Sequence, residues 1–213
     1  CYSGAEYFGQ SGFSIQKNIV IPNCFPEISV PILREDSDIK NIITVGRFDL
    51  PKDYETLIRS VASLNRNDFQ LNIIGYGGLE GQGREWGHQY GLEEKTLIYI
   101  KPDNLAELER SADIYISTSL FEGTSNSIME ALNWSLPVVA TNVGDNNYLV
   151  KDGENGFLHP VGDVNGISES LSRLLDSVEL RNEMGIKGNK ILRANYSVEV
   201  FEKRYVDLIE KNS

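Results

Sequence analysis

The sequence predicts an α/β fold built on a doubly wound, Rossmann-like parallel sheet. From residue 41 onward, short runs of β-branched and aromatic residues alternate with longer segments of helical period. Residues 41–46 and 69–75 are such short runs, and each ends in a glycine turn. Residues 137–140 form an apolar run without a polar face, as expected for a strand that is covered on both sides. These observations predict one parallel sheet with helices on both faces.

The same patterns place each element along the chain. Strands are expected at residues 41–46, 69–75, 96–100, 113–117, 137–140 and 156–159. Helices are expected at residues 54–64, 84–90, 105–110, 144–150, 164–176, 178–193 and 198–211, with a short helix after the loop at 122–126. Residues 1–30 are rich in glycine and aromatic residues and lack a long helical period, and residues 17–23 contain one strand-like run.

This rhythm also predicts the domain organisation. Residues 1–38 are expected to be a linker or lead-in, because prolines and charged residues interrupt them and they lack a core of their own. Residues 39–196 form the predicted sheet domain, and residues 197–213 a C-terminal helix. A first residue that is Cys rather than Met suggests a fragment or a processed chain.

Composition and charge exclude several classes of function. The 213 residues carry a formal net charge of −11, which argues against nucleic acid as a partner and against membrane attachment through a polybasic patch. No apolar run of about 18 residues is present, so no transmembrane segment is expected. Cys1 and Cys24 are too few for a disulfide framework or a metal set, which favours free thiols in a reducing, cytoplasmic compartment.

Candidate binding residues lie where the predicted strands end, because ligands of doubly wound sheets bind outside the carboxyl ends of the strands. The loop at 122–126 precedes a helix, whose dipole and unpaired amides favour an anion. Arg47 and Lys52 follow the first strand and are expected to face this loop. Glu122 and Glu130 flank the loop and offer acceptors for sugar hydroxyls. The sequence therefore predicts a cradle for a diphosphate.

Four motifs in a fixed order extend this prediction. The chain has Val45-Gly46-Arg47 followed by Lys52, then Glu122-Gly123 and Glu130-Ala131 in the spacing E-x7-E, then residues 136–144 and residues 150–158. With these motifs the chain resembles the C-terminal, donor-binding domain of retaining GT-B glycosyltransferases of family 4, the glycosyl transferases group 1. The resemblance covers roughly residues 17–210, and the order and spacing of the motifs carry it rather than any one of them.

The resemblance implies a role for each matching residue. Arg47 and Lys52 match the pair that holds the donor diphosphate, and Glu122 matches the carboxylate that contacts the transferred sugar; these three are the catalytic candidates. Glu130 matches the carboxylate that contacts the nucleotide ribose, and the backbone at 100–102 lies where the family holds the base. The implied donor-binding set is Gly46, Arg47, Lys52, Ile100, Lys101, Glu122, Gly123, Thr124, Ser125, Asn126, Ser127 and Glu130.

The resemblance also implies the substrates and partners. The donor would be a nucleoside diphosphate sugar, with no cofactor and no metal ion, because Arg47, Lys52 and the helix dipole neutralise its charge. The acceptor, a glycan or a lipid-linked saccharide, would bind a missing N-terminal domain of roughly 150 residues. This chain alone is then expected to bind a donor and to transfer little or no hexose. The implied role lies in polysaccharide or glycoconjugate biosynthesis, and peripheral membrane association of the full enzyme stays open.

The chain departs from the family pattern at three places. It has Ser135 where glycine is common, Gly144-Asp145 where Gly-Gly is common, and Thr124-Ser125 where Phe-Gly is common. These departures leave the diphosphate prediction intact, but they leave the donor sugar undetermined.

Simpler structural roles exist for the same residues. Ser127 and Glu130 fit the S-x-x-E pattern of a capping box, Glu122 fits a solvated loop acid, and Arg47 and Lys52 fit surface cations. Two rival functions also remain: a non-catalytic nucleotide-binding or interaction module of the same fold, and a different nucleotide-binding doubly wound domain such as the epimerase fold. Nucleoside diphosphate binding distinguishes the first hypothesis from the non-catalytic module.

Overall fold

The computed structural model describes residues 1–14 and 19–210, and its centre is a six-stranded parallel sheet. The strand order is β3-β2-β1-β4-β5-β6, and every neighbouring pair is parallel. The strands are β1 (Lys40–Arg47), β2 (Phe69–Tyr76), β3 (Thr96–Ile100), β4 (Ile114–Ser117), β5 (Val138–Thr141) and β6 (Gly156–His159). This order confirms the predicted doubly wound, Rossmann-like sheet.

Helices connect the strands and cover both faces of the sheet. They are α1 (Tyr2–Gln10), α2 (Tyr54–Ala62), α3 (Glu80–Gln89), α4 (Leu105–Ser111), α5 (Asn126–Asn133), α6 (Asn146–Leu149), α7 (Val164–Leu175), α8 (Val178–Tyr196) and α9 (Val198–Glu210). Apart from α1, each lies where the sequence predicted a helix. Within the described residues, no helix combines the length and the apolar character needed to cross a membrane.

Two buried cores lie on opposite faces of the sheet. On one face, strand residues such as Ile42 and Ile73 pack against α2 and α7. On the other, alternate strand residues such as Ile43 and Ile74 pack against α5 and the C-terminal half of α8. Because side chains alternate across a strand, adjacent residues of β1 serve different cores. This double burial explains why the strands are apolar on both faces.

The strand order creates a switch point beside β1. After β3 the chain crosses back to the other side of β1, where β4 pairs with it through Ile42–Ile114 and Ile43–Tyr115. The connections after β1 and β4 therefore leave the sheet in opposite directions and open a crevice between them. Apart from Ile100 and Lys101, the predicted site residues lie at or beside these two connections.

The N-terminal region, predicted as a linker or lead-in, contains a helix. Residues 2–10 form α1, which the glycine-rich sequence did not predict. Of the strand-like run at 17–23, residues 17 and 18 lie outside the described residues, and Ile19–Pro22 is not part of a strand. Local propensity is poor here, and the contacts that hold α1 come from residues far along the chain.

An extended segment, residues 25–36, is fastened to the domain rather than loose. The amide of Phe25 donates to the carbonyl of Tyr196 at 2.7 Å, and the amide of Ser29 donates to Asn133 Oδ1 at 2.7 Å. Farther on, Asn182 exchanges hydrogen bonds of 2.8 and 2.9 Å with the backbone of Arg34. The segment thus adds an irregular layer over α5 and α8.

Two arginines fix the end of this segment. The guanidinium of Arg34 donates to backbone carbonyls, including those of Ser135 at 3.0 Å and Trp134 at 2.8 Å. Arg181, on α8, has a fully buried side chain that donates to the carbonyl of Leu174 at 2.7 Å and to Asp36 Oδ1 at 2.8 Å. These carbonyls lie at the ends of α5 and α7, where no amide of the same helix can donate to them. The two arginines supply the missing hydrogen bonds.

Candidate functional site

An open cleft of about 540 Å³ lies at the carboxyl ends of β1 and β4, at the switch point of the sheet. The turn after β1 forms one wall, and the loop between β4 and α5 forms the other. Its lining residues are Val45, Gly46, Arg47, Asp49, Pro51, Lys52, Phe121, Glu122, Gly123, Thr124, Ser125, Asn126, Ser127 and Glu130. Most of the residues singled out from the sequence are therefore together in one place.

Lys52 and Glu122 join the two walls. Lys52 Nζ forms an ion pair with Glu122 Oε1, and the hydroxyl of Ser119 donates to the same oxygen at 2.8 Å. Both side chains are mostly buried, with 21% of Lys52 and 14% of Glu122 exposed. Glu122 is therefore a fixed carboxylate within the cleft rather than a solvated loop acid, and Lys52 is not a free surface cation.

Backbone hydrogen bonds hold the same two walls at a fixed distance. The hydroxyl of Thr118 donates to the carbonyls of Lys52 at 3.1 Å and Asp53 at 2.9 Å. The amide of Leu120 donates to the carbonyl of Pro51 at 2.8 Å. Because these bonds involve main-chain atoms on both sides, the cleft is preformed, as ligand sites usually are.

Gly144 is required by the loop that carries Glu122. Its φ is +55°, and a Cβ at this position would collide with the carbonyl oxygen of Glu122. The amide of Asp145 then donates to the carbonyl of Gly123 at 3.3 Å. Only glycine allows the turn after β5 to approach the backbone of Glu122 this closely. Gly144 therefore helps to fix the position of Glu122 in the cleft.

Arg47 lies at the mouth of the cleft on the β1 side. Its side chain is 68% exposed, and its guanidinium lies 3.2 Å from Asp49 Oδ2. An exposed pair of this kind contributes little to stability and is screened by salt. Arg47 is thus available to turn toward an anion in the cleft.

The loop at 123–127 ends in the first turn of α5. The hydroxyl of Ser125 accepts from the amide of Ile128 at 3.5 Å, and α5 begins at Asn126. Ser125, not Ser127, is therefore the N-cap, so the alternative of a capping box between Ser127 and Glu130 is wrong. The amides at the start of α5 lack intrahelical acceptors and face the cleft side of the helix N-terminus.

Glu130 lies deeper, where the cleft meets a neighbouring one. It lines both the main cleft and a second cleft of about 480 Å³, which Phe25 and Phe201 also line. Burial raises the pKa of Glu130 above its usual range. Among the described residues none donates a hydrogen bond to its carboxylate, so its acceptor capacity is unused.

Ile100 and Lys101 lie apart from this cleft. Ile100 is the last residue of β3, Lys101 follows it, and β2 separates this strand from β1. Neither residue lines the cleft. Ile100 is exposed, and the ammonium of Lys101 lies 4.6 Å from the centre of the Tyr76 ring. They share the carboxyl edge of the sheet with the cleft, and their assignment to a base-binding region stays a prediction.

Four lining residues were not in the predicted donor-binding set: Val45, Asp49, Pro51 and Phe121. Asp49 pairs with Arg47, Pro51 accepts a bond from the opposite wall, and Phe121 presents a ring that is 65% exposed. Asp49 precedes the short 3-10 turn Leu50–Lys52 and Pro51 lies within it, and the position of this turn after a strand could have indicated both residues. Phe121 directly precedes Glu122, and this position next to a predicted site residue could have indicated it.

The loop of the cleft is also tied to α1. Asp145 accepts hydrogen bonds from the hydroxyl of Thr124 at 2.8 Å and from the amides of Tyr2 and Ser3 at 2.8 and 2.7 Å. Burial alone would raise the pKa of Asp145, but the bonds from Ser3, Tyr2 and Thr124 lower it below the usual value. The stacked rings of Tyr2 and Tyr148, 4.1 Å apart, complete this attachment. Asp145 thus caps the first amides of α1, although it lies more than 140 residues later in the sequence.

The chemistry open to this cleft is recognition of a polar anion that carries hydroxyl groups. Arg47, Lys52 and the amides at the start of α5 offer donors for an anion, while Glu122 and Glu130 offer acceptors for hydroxyls. In residues 1–14 and 19–210, no group of three or more His, Cys, Asp or Glu side chains is placed to hold a metal ion.

Comparison with known proteins gives a family match over most of the chain. The model of the family described as glycosyl transferases group 1 matches residues 27–191. The chain is 24% identical over 173 residues to the lipopolysaccharide core biosynthesis glycosyltransferase LpsE of Rhizobium meliloti, which covers 81% of this chain and 50% of LpsE. It is 31% identical over 169 residues to N-acetylgalactosamine-N,N'-diacetylbacillosaminyl-diphospho-undecaprenol 4-alpha-N-acetylgalactosaminyltransferase of Campylobacter jejuni, covering 78% and 46% of the two chains.

Solved structures share the fold at lower identity. The apo form of the lipopolysaccharide outer core galactosyltransferase WaaB superposes with a TM-score of 0.85 at 21% identity, over 98% of this chain and 60% of that one. A variant of S. aureus TarM in complex with UDP, Fondaparinux and alpha-GlcNAc-glycerol superposes with a TM-score of 0.84 at 21% identity, over 93% and 41%. The chain spans about half the length of the curated relatives named above.

Proposed function

The chain belongs to the glycosyl transferases group 1 family, and from that membership we propose that it is the donor-binding half of a retaining, GT-B-type glycosyltransferase. In this proposal the intact enzyme transfers a hexose from a nucleoside diphosphate sugar to a glycan or lipid-linked acceptor, in polysaccharide or glycoconjugate biosynthesis. The observation that carries it is the ion pair of Lys52 and Glu122 inside a cleft that also contains Arg47, Glu130 and the start of α5.

The cations and amides suit the diphosphate of the donor. Arg47 is exposed at the cleft mouth and offers a planar, two-pronged donor group, while Lys52 offers a compact charge deeper in the cleft. The amides at the start of α5 add the positive end of a helix dipole. These groups supply positive charge where a leaving diphosphate gains negative charge, which is the kind of stabilisation that contributes most to catalysis.

The carboxylates divide between the two sugars of the donor. Glu122 lies beside Lys52 and thus near the diphosphate, where it would accept hydrogen bonds from hydroxyls of the transferred hexose. Glu130 lies deeper and has an unused carboxylate, which suits the two hydroxyls of a ribose. The nucleotide base would then lie beyond Glu130. We propose that it reaches the backbone at 100–102.

The proposed reaction needs no nucleophile from this chain. The bond between the anomeric carbon and the diphosphate oxygen breaks while the acceptor hydroxyl attacks from the same face and gives its proton to the departing phosphate oxygen. Attack from this face retains the configuration. Negative charge develops on the diphosphate beside Arg47 and Lys52. The acceptor would bind a further domain, consistent with curated relatives that are about twice as long as this chain. We place residues 1–38 as the connection to that domain and residues 39–196 as the donor domain.

Nucleotide-sugar binding tests the proposal directly. The chain would be titrated by calorimetry with UDP-glucose, GDP-mannose and ADP-glucose, and one of them is expected to bind. Arg47→Ala and Lys52→Ala should each weaken that binding by about 1–3 kcal/mol, because each removes a charged hydrogen-bond donor from the diphosphate. Arg84→Ala serves as the matched control, since Arg84 is an exposed cation of α3 outside the cleft.

Each alternative outcome has a clear meaning. If no nucleotide or nucleotide sugar binds at millimolar concentration, the chain is a non-catalytic module of the same fold. If binding occurs but Arg84→Ala weakens it as much as Lys52→Ala does, the ligand is held by general charge and not by this cleft. Rapid hexose transfer by these 213 residues alone would contradict the need for a further domain.

A further inference from the structure

Glu109 is a buried carboxyl group beside the proposed donor site, yet it does not line the cleft. It lies on α4 and is 5% exposed. Its Oε2 accepts a hydrogen bond from the indole Nε1 of Trp134 at 3.2 Å. Its Oε1 is buried and has no hydrogen-bond partner among the described residues. Because an ionised carboxylate with an unpartnered, buried oxygen is costly, this environment favours the neutral form.

Glu130 acts on Glu109 from the neighbouring helix. Trp134, which holds Glu109, follows Glu130 by one helical turn, so the two project from the same side of α5. Burial, followed by the charge of Glu130, raises the pKa of Glu109 to about 7, and burial also raises the pKa of Glu130. The negative charge of Glu130 thus adds to burial in opposing the ionisation of Glu109.

We propose that Glu109 is a positioning residue for Glu130: it keeps the last proton of the carboxyl pair, so that Glu130 alone is ionised and accepts the ribose hydroxyls of the donor. The inference rests on the proposed function, in which Glu130 contacts the ribose. Burial sets the order of the two protons, because Glu109 is almost fully buried whereas Glu130 reaches the cleft. A second negative charge on Glu109 would repel Glu130 most when a bound ligand removes water from the cleft.

The other charged and titratable groups near Glu109 do not take over this role. Arg34, from the extended segment, uses its guanidinium to bond backbone carbonyls. Glu107 and Arg110 are exposed residues of α4 itself. Tyr115, on β4, stays neutral because burial raises its pKa. The charge that changes next to Glu130 near neutral pH is therefore that of Glu109.

The proposal predicts how donor affinity depends on pH. Ligand binding should favour the protonated form of Glu109, so affinity is highest below its pKa and falls as the pH rises through about 7. If binding raises that pKa by one unit, affinity falls about tenfold across the transition. In Glu109→Gln the amide oxygen still accepts from Trp134 but nothing titrates, so the affinity of this variant should be constant.

Calorimetry with a nucleotide sugar tests this dependence from about pH 6 to about pH 8.5, a range that brackets the transition. A nucleotide sugar is the right probe because its diphosphate, esterified at both ends, does not titrate there. Glu107→Gln is the matched control: it removes an exposed acid from the same helix and should keep the wild-type dependence. If wild type and Glu109→Gln lose affinity equally with rising pH, the inference is overturned while the proposed function stands.

A second measurement tests the protonation of Glu109 without any nucleotide. The chain has two tryptophans, so Trp86→Phe leaves Trp134 as the only one, and its fluorescence reports on the carboxyl group bonded to its indole. A transition near pH 7 is expected, absent in Glu109→Gln and shifted to lower pH in Glu130→Gln. If Glu109→Gln keeps the transition, or wild type lacks it, the inference fails. If no nucleotide sugar binds at any pH, the ribose role fails together with the proposed function, and this titration still decides whether Glu109 keeps its proton against the charge of Glu130.

Discussion

Lys52 and Glu122, 70 residues apart in the sequence, form an ion pair that bridges the two walls of the cleft. Each group satisfies the other in this ion pair, and each would take a different part of the proposed donor. Lys52 would turn to the diphosphate, and Glu122 to the hydroxyls of the hexose. The pair is therefore a point where binding of the nucleotide and binding of the sugar can be separated experimentally.

Glu122→Gln should change the relative affinities for nucleoside diphosphate and nucleotide sugar. The variant releases Lys52 from its ion pair, so the affinity for UDP, or for the diphosphate whose sugar binds best, should stay equal or increase. The affinity for the nucleotide sugar should fall, because an amide accepts hydroxyl hydrogen bonds less strongly than a carboxylate, with a loss of about 1–2 kcal/mol. Calorimetry with both ligands gives the ratio; a parallel loss for both would mean that Glu122 supports the whole cleft and does not contact the sugar.

Gly144→Ala should destabilise both the fold and the donor loop. The new Cβ collides with the carbonyl of Glu122, and the φ of +55° is itself unfavourable for alanine, so we expect a loss of about 2–4 kcal/mol in the free energy of unfolding. Gly153→Ala is the matched control, because Gly153 has a φ of +75° but no atom within 4 Å of an added Cβ. Urea denaturation measures both variants. Equal losses would show that backbone strain, and not contact with Glu122, explains the glycine.

Arg181→Met should cost about 3 kcal/mol of unfolding free energy, because it leaves the buried carbonyls of Leu174 and Leu175 without a donor. Lys187→Met on the same helix is the control: its pair with Glu183 is solvent-exposed and should contribute less than about 0.5 kcal/mol. Urea denaturation compares the two. A loss in Arg181→Met no larger than that of the control would mean that water replaces the arginine.

The stability contributed by Asp145 should depend on pH in a defined direction. Its pKa is lowered in the folded chain, so its contribution is present above the unfolded pKa of about 4 and is lost as the pH falls through the folded pKa. Asp145→Asn should be less stable than wild type by about 1 kcal/mol at pH 7, as for loss of a helix cap, and this difference should shrink as the pH falls below about 4. Denaturation curves from pH 7 to pH 3 check this, with exposed Asp103→Asn as the control. A difference that persists at low pH would show that the carboxylate charge is not what holds α1.

The elements that the sequence predicted well are those whose signals are local. The strands β1 and β2 each contain an apolar, β-branched run followed by glycine. The helix α2 has an apolar stripe of helical period, which is buried as expected. The association of Arg47, Lys52, Glu122 and Glu130 was also predictable, because residues that follow parallel strands meet at one edge of the sheet. Their arrangement in one cleft needed only the fold class.

What the sequence did not predict depends on contacts between distant residues. The helix α1 contains two glycines, and its first amides are capped by Asp145, about 140 residues later in the chain. The choice of Ser125 over Ser127 as the N-cap of α5 depends on where the loop leaves β4, since both serines fit the local pattern. The burial of Glu109 depends on Trp134, which directly follows another helix. In each case the partner that decides the structure is not adjacent in sequence.

The fastening of residues 25–36 to α5 and α8 has a mechanical consequence. A pull on the chain ahead of Phe25 acts first on the bonds to Tyr196 and Asn133, and Asn133 is the last residue of α5. The first residue of the same helix lies in the cleft. A two-turn helix moves almost as a rigid body. A displacement of the chain before residue 25 would therefore pass through α5 to the amides that line the cleft. Optical-trap extension of the chain from residue 25 should accordingly require less force in Asn133→Ala than in wild type.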